Sequence, residues 1–327
     1  MAVAVAVAVA VAVAVADDML GAMLTAVLSL TGAIVYGAAD FLGGLAARRI
    51  GAVLATAVSA TAGLVAMLAA LPVLGGIWSA ADVGWGALSG LIGAVAIALL
   101  YACLAIGPMS ILSPLTALLS AVTPMLWGTL VGAERFGTLG LWGLGLALVA
   151  VVLVGFVPER GAVRPSLRGI LLAVGSGVSI GLYYITISQT ADSSGVVPLV
   201  ANRVVAATVM FAAVGVLAVR AGVAARTPAG VAAASSTTRA DASDSRRTTL
   251  RAGIALAVAC GVVDATANVL LLLGIRAGDL AVAAVLGAMY PAGTILLAAF
   301  VLRERIAPVQ WAGLALALAA AGMLALA

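Results

Sequence analysis

Residues 290–318 read YPAGTILLAAFVLRERIAPVQWAGLALAL: an apolar run with one early proline, a charged knot at Arg303-Glu304-Arg305, then a second apolar run. The same plan occurs 170 residues earlier. Aligning Val131–Ala150 on Val301–Ala320 gives nine identities in twenty positions, at Val131, Glu134, Arg135, Gly143, Leu144, Leu146, Ala147, Leu148 and Ala150. In so apolar a chain the Leu and Ala matches say little. The Glu134-Arg135 pair, and the glycine nine residues after the Glu, say more. A fixed offset marks an internal repeat, so the chain reads as two related halves.

Composition sets the class. The chain is 65% hydrophobic and 9% charged, with a mean hydropathy of +1.29. Water-soluble domains carry about 25% charged residues. A helix crossing the hydrocarbon needs about 20 apolar residues. Ten such segments are expected, at 22–45, 51–74, 84–106, 109–132, 138–157, 168–190, 196–219, 252–275, 279–302 and 308–326; they are called spans 1 to 10 below. The fold class is an all-α polytopic membrane protein, with ten transmembrane helices as two inverted five-helix repeats. Repeat boundaries fall at 22–157 and 168–327, with a linker at 158–167.

The first 16 residues are Met followed by an Ala-Val alternation, ended by Asp17-Asp18. Both members are apolar, so the period of two defines no face. There is no basic start of the kind a signal peptide needs. Residues 1–21 are therefore read as a low-complexity segment, with an eleventh span as the sharper alternative. Residues 221–250, rich in Ala, Ser, Thr and Arg, read as a disordered loop inside the second repeat.

Small residues and prolines punctuate the spans. Gly86/Gly90, Gly128/Gly132 and Gly177/Gly181 have the spacing that lets two helix backbones approach. Pro114 and Pro124 are expected to kink span 4. An offset of 144 places Gly37 on Gly181 and Ser59 on Arg203, so the first parts of the halves also align.

All 16 basic residues are Arg, and 13 of them lie in the odd-numbered connections between spans. The positive-inside rule places those connections in the cytoplasm. Five spans per half is an odd number, so the second half runs upside down relative to the first. Inverted repeats of this kind build alternating-access transporters, with the site near the midplane.

Several chemistries are excluded or left unsupported. The chain has no His, which removes His-based triads, His proton shuttles and HExxH metal sites. Cys103 and Cys260 fall inside apolar spans and read as small fillers. No catalytic residue, metal site or cofactor is expected, and no nucleic-acid partner. There is no P-loop, hence no argument for an ATPase.

Ionisable groups inside a membrane are costly and mark function by default. Asp264 lies midway between Arg251 and Arg276, with Asn268 one turn on. Asp40 lies eight residues before Arg48, with Tyr36 on its face. Arg203 lies inside span 7. Tyr101, Tyr184 and Tyr290 offer amphipathic rings, as does Tyr183. These eight candidates, Tyr36, Asp40, Tyr101, Tyr184, Arg203, Asp264, Asn268 and Tyr290, would line a polar cavity. Asp264 or Asp40 would bind a cation, a proton or a substrate amine, with Asp264 the better proton carrier. The structural alternative is that a carboxylate simply pairs with Arg203. Glu134 and Glu304, at helix ends, read as end caps or gate elements.

These features resemble the EamA-type transporters of the drug/metabolite transporter superfamily over about residues 22–327. The resemblance is carried by Tyr36-Gly37 through Phe41, Arg203, Pro291 thirteen residues before Glu304, and the turns Gly132-Ala133-Glu134-Arg135 and Leu302-Arg303-Glu304-Arg305. It departs at Ala121, where the offset from Pro291 asks for proline. The family pattern implies both termini inside, whereas the arginine count places the C-terminus outside; the count is given more weight, because charge acts during insertion. The resemblance implies a secondary transporter of small metabolites, amino acids or drugs in a bacterial-type inner membrane, with a small-molecule substrate, the lipid bilayer, and protons or another coupling ion as partners. A passive channel, a membrane enzyme and a non-transporting scaffold are the rival readings.

Overall fold

The structure is a computed structural model that describes residues 2–106, 109–155, 166–225, 239–301 and 307–326. Every regular element among these residues is helical. The helices are α1 Ala2–Ile50, α2 Ala52–Leu74, α3 Ala80–Ile106, α4 Met109–Leu130, α5 Thr138–Gly155, α6 Leu167–Ser188, α7 Val197–Ala225, α8 Arg239–Ala277, α9 Leu280–Gly287, α10 Tyr290–Val301 and α11 Pro308–Ala325. Eight segments are long and apolar enough to cross a membrane, and two shorter apolar helices, Leu115–Leu130 and Thr138–Val154, complete the set of ten. Large apolar side chains line the outside: Val73, Leu130, Trp142, Phe300 and Leu318 are all more than half exposed. Water would not tolerate that surface; lipid does. The chain is a multi-pass membrane protein.

Three sequence expectations change. The Ala-Val segment forms neither a strand nor a separate span: α1 runs unbroken from Ala2 to Ile50, about 73 Å at 1.5 Å per residue. Residues 221–225 continue α7 and residues 239–250 open α8, so both ends of the expected disordered loop are helical. Ala and Arg are strong helix formers, and that local preference extends each span. At one glycine pair, Gly128/Gly132, the nearest atoms belong to the following turn and to the same helix. A Cβ at Gly128 would instead collide with the Glu134 carboxylate, in the turn that follows α4.

Span 9 is broken. It forms α9, then a turn at Ala288-Met289, then α10. Pro291 explains the break: it has no N–H for the Gly287 carbonyl, and its ring crowds that carbonyl. The eight residues of α9 are about 12 Å long, so the break falls well inside a ~30 Å hydrocarbon core. By contrast, α4 stays helical through Pro114 and Pro124.

The packing pattern survives exchange of the two halves. α1 packs on α8, and α3 on α6; α2 packs on α8, and α7 on α3; α4 packs on α6, and α1 on α9 and α10. The pairs α2 with α7, α4 with α9 and α5 with α11 map onto themselves. Individual contacts obey the same exchange. A Cβ on Gly143 would stand 3.0 Å from Leu324 Cγ, and one on Gly313 would stand 2.7 Å from Val154 N. Gly143 and Gly313 are 170 apart, and so are Val154 and Leu324. Likewise Gly37 crosses α10 against Gly293, while Gly181 crosses α4 against Thr123. The offset grows from 144 to 170 between spans 7 and 8, where the second half carries its extra residues.

Candidate functional site

The interior polar residues come from spans 1, 6, 7, 8 and 9. Asp264 and Asn268 share a face of α8, four residues apart, and Asn268 Nδ2 donates to the Asp264 carbonyl at 2.7 Å. Arg203 on α7 forms an ion pair with Asp264. Gly63 on α2 leaves room for the guanidinium: a Cβ there would lie 3.5 Å from Arg203 Nε. The preceding residue, Asn202, is buried and donates to Ser89 Oγ at 2.9 Å, which holds α7 against α3. Tyr183 donates its hydroxyl to Asn268 Oδ1.

Asp40 and Tyr36 lie one turn apart on α1. Tyr36 interacts with Tyr183 and lies within electrostatic reach of Asp264 and Arg203. Asp40 lies within electrostatic reach of Asp264, Tyr184 and Tyr290. Among the described residues Asp40 has no hydrogen bond and no ion pair. Asp40 is exposed. Tyr184 is buried and stands edge-on to Tyr183, with ring centroids 5.4 Å apart. Tyr290 stands at the first residue of α10, just past the break in span 9. The side chain of Tyr101 lies outside the described residues.

Seven of the eight sequence candidates thus come together. Two details differ from the expectation. Asp264, the better carrier candidate on sequence, is the paired carboxylate, and Asp40 is the free one. Tyr183, named only as a ring, supplies the hydroxyl that holds Asn268. Its neighbour Tyr184 points into the apolar core with Ile187 and Leu271. Which of two adjacent tyrosines faces a polar group depends on helix rotation, which the sequence does not carry.

A second polar layer ties the even-numbered connections together. Ile77 N donates to Ser193 O at 2.8 Å, and Val196 N to Gly75 O at 3.3 Å. Gly76, at φ 144°, permits this approach; a Cβ there would collide with the Ser194 carbonyl. Asp82 accepts from Ala191 N at 2.8 Å. Arg276 donates to the carbonyls of Gly195 and Ala191 at 2.8 and 3.0 Å and to Ser194 Oγ at 3.0 Å. Glu134, from the turn after α4, accepts from Leu280 N at 2.9 Å and Ala281 N at 3.2 Å. It caps the start of α9, satisfying amides that an α-helix leaves unpaired. Burial raises the Glu134 carboxyl and Asp279 adds to this, against the two amides. Burial also raises Asp279. A cavity of about 320 Å³ opens beside this cap, between Thr25, Arg135 and Asp279. The sequence marks Glu134 as an end cap or gate but carries no signal for its partner, and none for the roles of Asp82 and Arg276. Arg303, Glu304 and Arg305 lie outside the described residues.

Comparison with known proteins now adds the family. Residues 167–326 match the EamA-like transporter family. The second half of the chain belongs to the EamA-like transporter family. That family is part of the drug/metabolite transporter superfamily. The EamA-like half holds Arg203, Asp264, Asn268, both adjacent tyrosines and the broken span. A solved structure titled only "Crystal structure of protein" superposes with a TM-score of 0.63 at 18% identity, covering 91% of this chain and 97% of that chain. At that identity the likeness concerns the fold. No match was found among curated proteins.

Proposed function

We propose that this protein is a secondary transporter that moves a small organic solute across the membrane by alternating access. One observation carries the reading: charged and aromatic side chains from five spans meet around the break in span 9, and hydrogen bonds between connections tie one face of the molecule together beyond them. Membrane transport of small solutes is the activity of the EamA-like family. Broken helices at a midplane site, and halves that exchange without changing the packing, are the parts such a mechanism uses.

The mechanism follows from these parts. Asp40, Tyr36 and Tyr290 meet the solute. Arg203 and Asp264 hold α7 and α8 in register and set the field. The ties made by Glu134, Asp82 and Arg276 keep the even-connection face shut in this state. Solute or ion binding must favour one facing state over the other, since equal affinity shifts nothing. Rupture of the Glu134 cap and the Arg276 bonds then accompanies opening of that face. The two repeats span about 22–157 and 168–327, and the protein resides in a bacterial-type inner membrane with its arginine-rich connections inside. A proton or another ion is the coupling partner.

Proteoliposomes carrying the full chain test this reading. Solute-driven flux that responds to an imposed gradient is expected, and it is lost in Asp40→Asn and Asp264→Asn protein that still inserts. Solute-independent ion conductance would instead mark a channel. Absence of flux for amino acids, organic cations and organic anions alike counts against transport.

A further inference from the structure

We propose that the cavity between the start of span 1, the turn after α4 and the turn before α9 binds a small zwitterion, with Arg135 holding its oxyanion, Asp279 its ammonium group, and the Thr25 hydroxyl bonded to it. This site stands apart from the Arg203–Asp264 cluster and does not depend on transport.

The cavity measures about 320 Å³, and Thr25, Arg135, Gly278 and Asp279 are in its wall. Ligand pockets begin at about 300 Å³, so the space suits a small solute or a lipid headgroup. It lies at helix ends: Thr25 is near the start of span 1, Arg135 follows α4 and Asp279 precedes α9. Asp264 lies thirteen residues back along α8 from Ala277, about 20 Å away.

Thr25 is the first sign of a ligand. Its side chain is buried, at 1% exposed, and its Oγ1 has no hydrogen-bond partner. Such orphaned hydroxyls are rare, because burial costs them the bonds that water would supply. Oγ1 is turned towards Gly278 in the same wall, where a Cβ would stand 2.6 Å from it. With glycine there, a group in the cavity can reach the hydroxyl.

The charges then select the ligand. Arg135 and Asp279 are exposed, and neither forms an ion pair among the described residues. Asp279 makes no side-chain bond to the helix it precedes. The neighbouring Glu134 is engaged with the N–H groups of Leu280 and Ala281. One cation and one anion therefore remain at the cavity. A lone anion would meet Asp279, and a lone cation would meet Arg135; a molecule with both charges satisfies both. The planar guanidinium matches a carboxylate or a phosphate. Phe136, Val282 and Leu324 supply an apolar wall for the carbon skeleton. Two sources carry this chemistry, a free amino carboxylate or phosphodiester and the headgroup of phosphatidylethanolamine.

The test uses the purified, delipidated full chain in a maltoside detergent, which carries no charge. The probes are 4-aminobutyrate, glycerophosphoethanolamine and dihexanoyl phosphatidylethanolamine, with butylammonium and butyrate as single-charge counterparts. Saturable binding of at least one zwitterion is expected, at least tenfold tighter than either counterpart. Arg135→Gln and Asp279→Asn are each expected to weaken it at least tenfold. Thr25→Val removes the hydroxyl at nearly constant shape. It should keep or raise the melting temperature without ligand, yet reduce the protection that the zwitterion gives. A merely structural hydroxyl would lower the first and leave the second. Binding of the lipid tenfold tighter than that of glycerophosphoethanolamine identifies the headgroup as the source; equal or weaker binding identifies a free solute. No saturable binding of any zwitterion, equal binding of a single-charge counterpart, or unchanged affinity in both charge variants overturns the proposal.

Discussion

Asp264 on α8 is bonded to Arg203 on α7 and not to Asp40 on α1, although the two carboxylates lie within electrostatic reach of each other. Both side chains are partly exposed, at 11% and 25%, so removing one member is expected to cost less than the about 3–5 kcal/mol of a fully buried pair, in which the other charge is left uncompensated. Arg203→Met and Asp264→Leu are each expected to lower stability, by less than that limit. The double variant should recover most of the loss. Thermal unfolding in detergent, run as a double-mutant cycle, measures the coupling; simple additivity would show that the pair does not act as one unit.

The Glu134 cap is expected to depend on pH. Its carboxyl is raised above the ordinary 4.5, with burial as the largest cause. The folded state therefore binds the proton more tightly than the unfolded chain. The associated stability is fully present below pH 4.5 and is lost as pH rises through the raised value. Asp279 shifts the same way and adds to the effect. Glu134→Gln keeps an acceptor oxygen for one of the two amides, Leu280 or Ala281, and should flatten this part of the profile. Glu134→Ala leaves both amides unpaired and should cost about 1–3 kcal/mol for each one that water does not reach. Melting temperature against pH for the three proteins decides the matter.

Helix approach at Gly313 leaves no room for a methyl group. A Cβ there would lie 2.7 Å from Val154 N, on backbone that cannot rotate away. Gly313→Ala should force α11 from α5 and cost about 1–3 kcal/mol. Gly145, two residues beyond the matching Gly143, has open space out to 4 Å around the place a Cβ would take. Gly145→Ala should be neutral or stabilise by up to about 1 kcal/mol. Equal effects at the two sites would contradict the crossing described.

Pro291 is expected to matter to transport more than to stability. Pro291→Ala restores an N–H for the Gly287 carbonyl and lets α9 and α10 join into one helix. Tyr290 would then turn with the helix, away from Asp40. The expected result is a melting temperature equal to or above that of the unaltered protein, with flux strongly reduced. Unchanged flux would remove the break from the mechanism.

How far the sequence reaches can be judged residue by residue. The 170 offset seen at Glu134 and Glu304 is the offset that relates the Gly143–Leu324 and Gly313–Val154 contacts. The 144 offset that placed Gly37 on Gly181 relates two helix crossings in the same way. The polar candidates were legible because a charge inside an apolar run is rare and costly. Their partners were not. Asp264 has Arg203 and Asp40 both within reach in principle, and Glu134 meets amides 146 and 147 positions later.

Hydrophobicity acts along the chain, so the sequence by itself determined the membrane class, the ten apolar segments and the repeat, whereas the break at Pro291 in span 9 emerged with the structure. Charge pairing and helix rotation act across the chain. Only the tertiary structure decided that Arg203 neutralises Asp264 and leaves Asp40 free, that Tyr183 faces Asn268 while Tyr184 faces the core, and that the even connections are tied shut. Each of these depends on which faces of separate helices meet, and that is settled by small residues such as Gly37, Gly63 and Gly313, which decide how closely the helices approach.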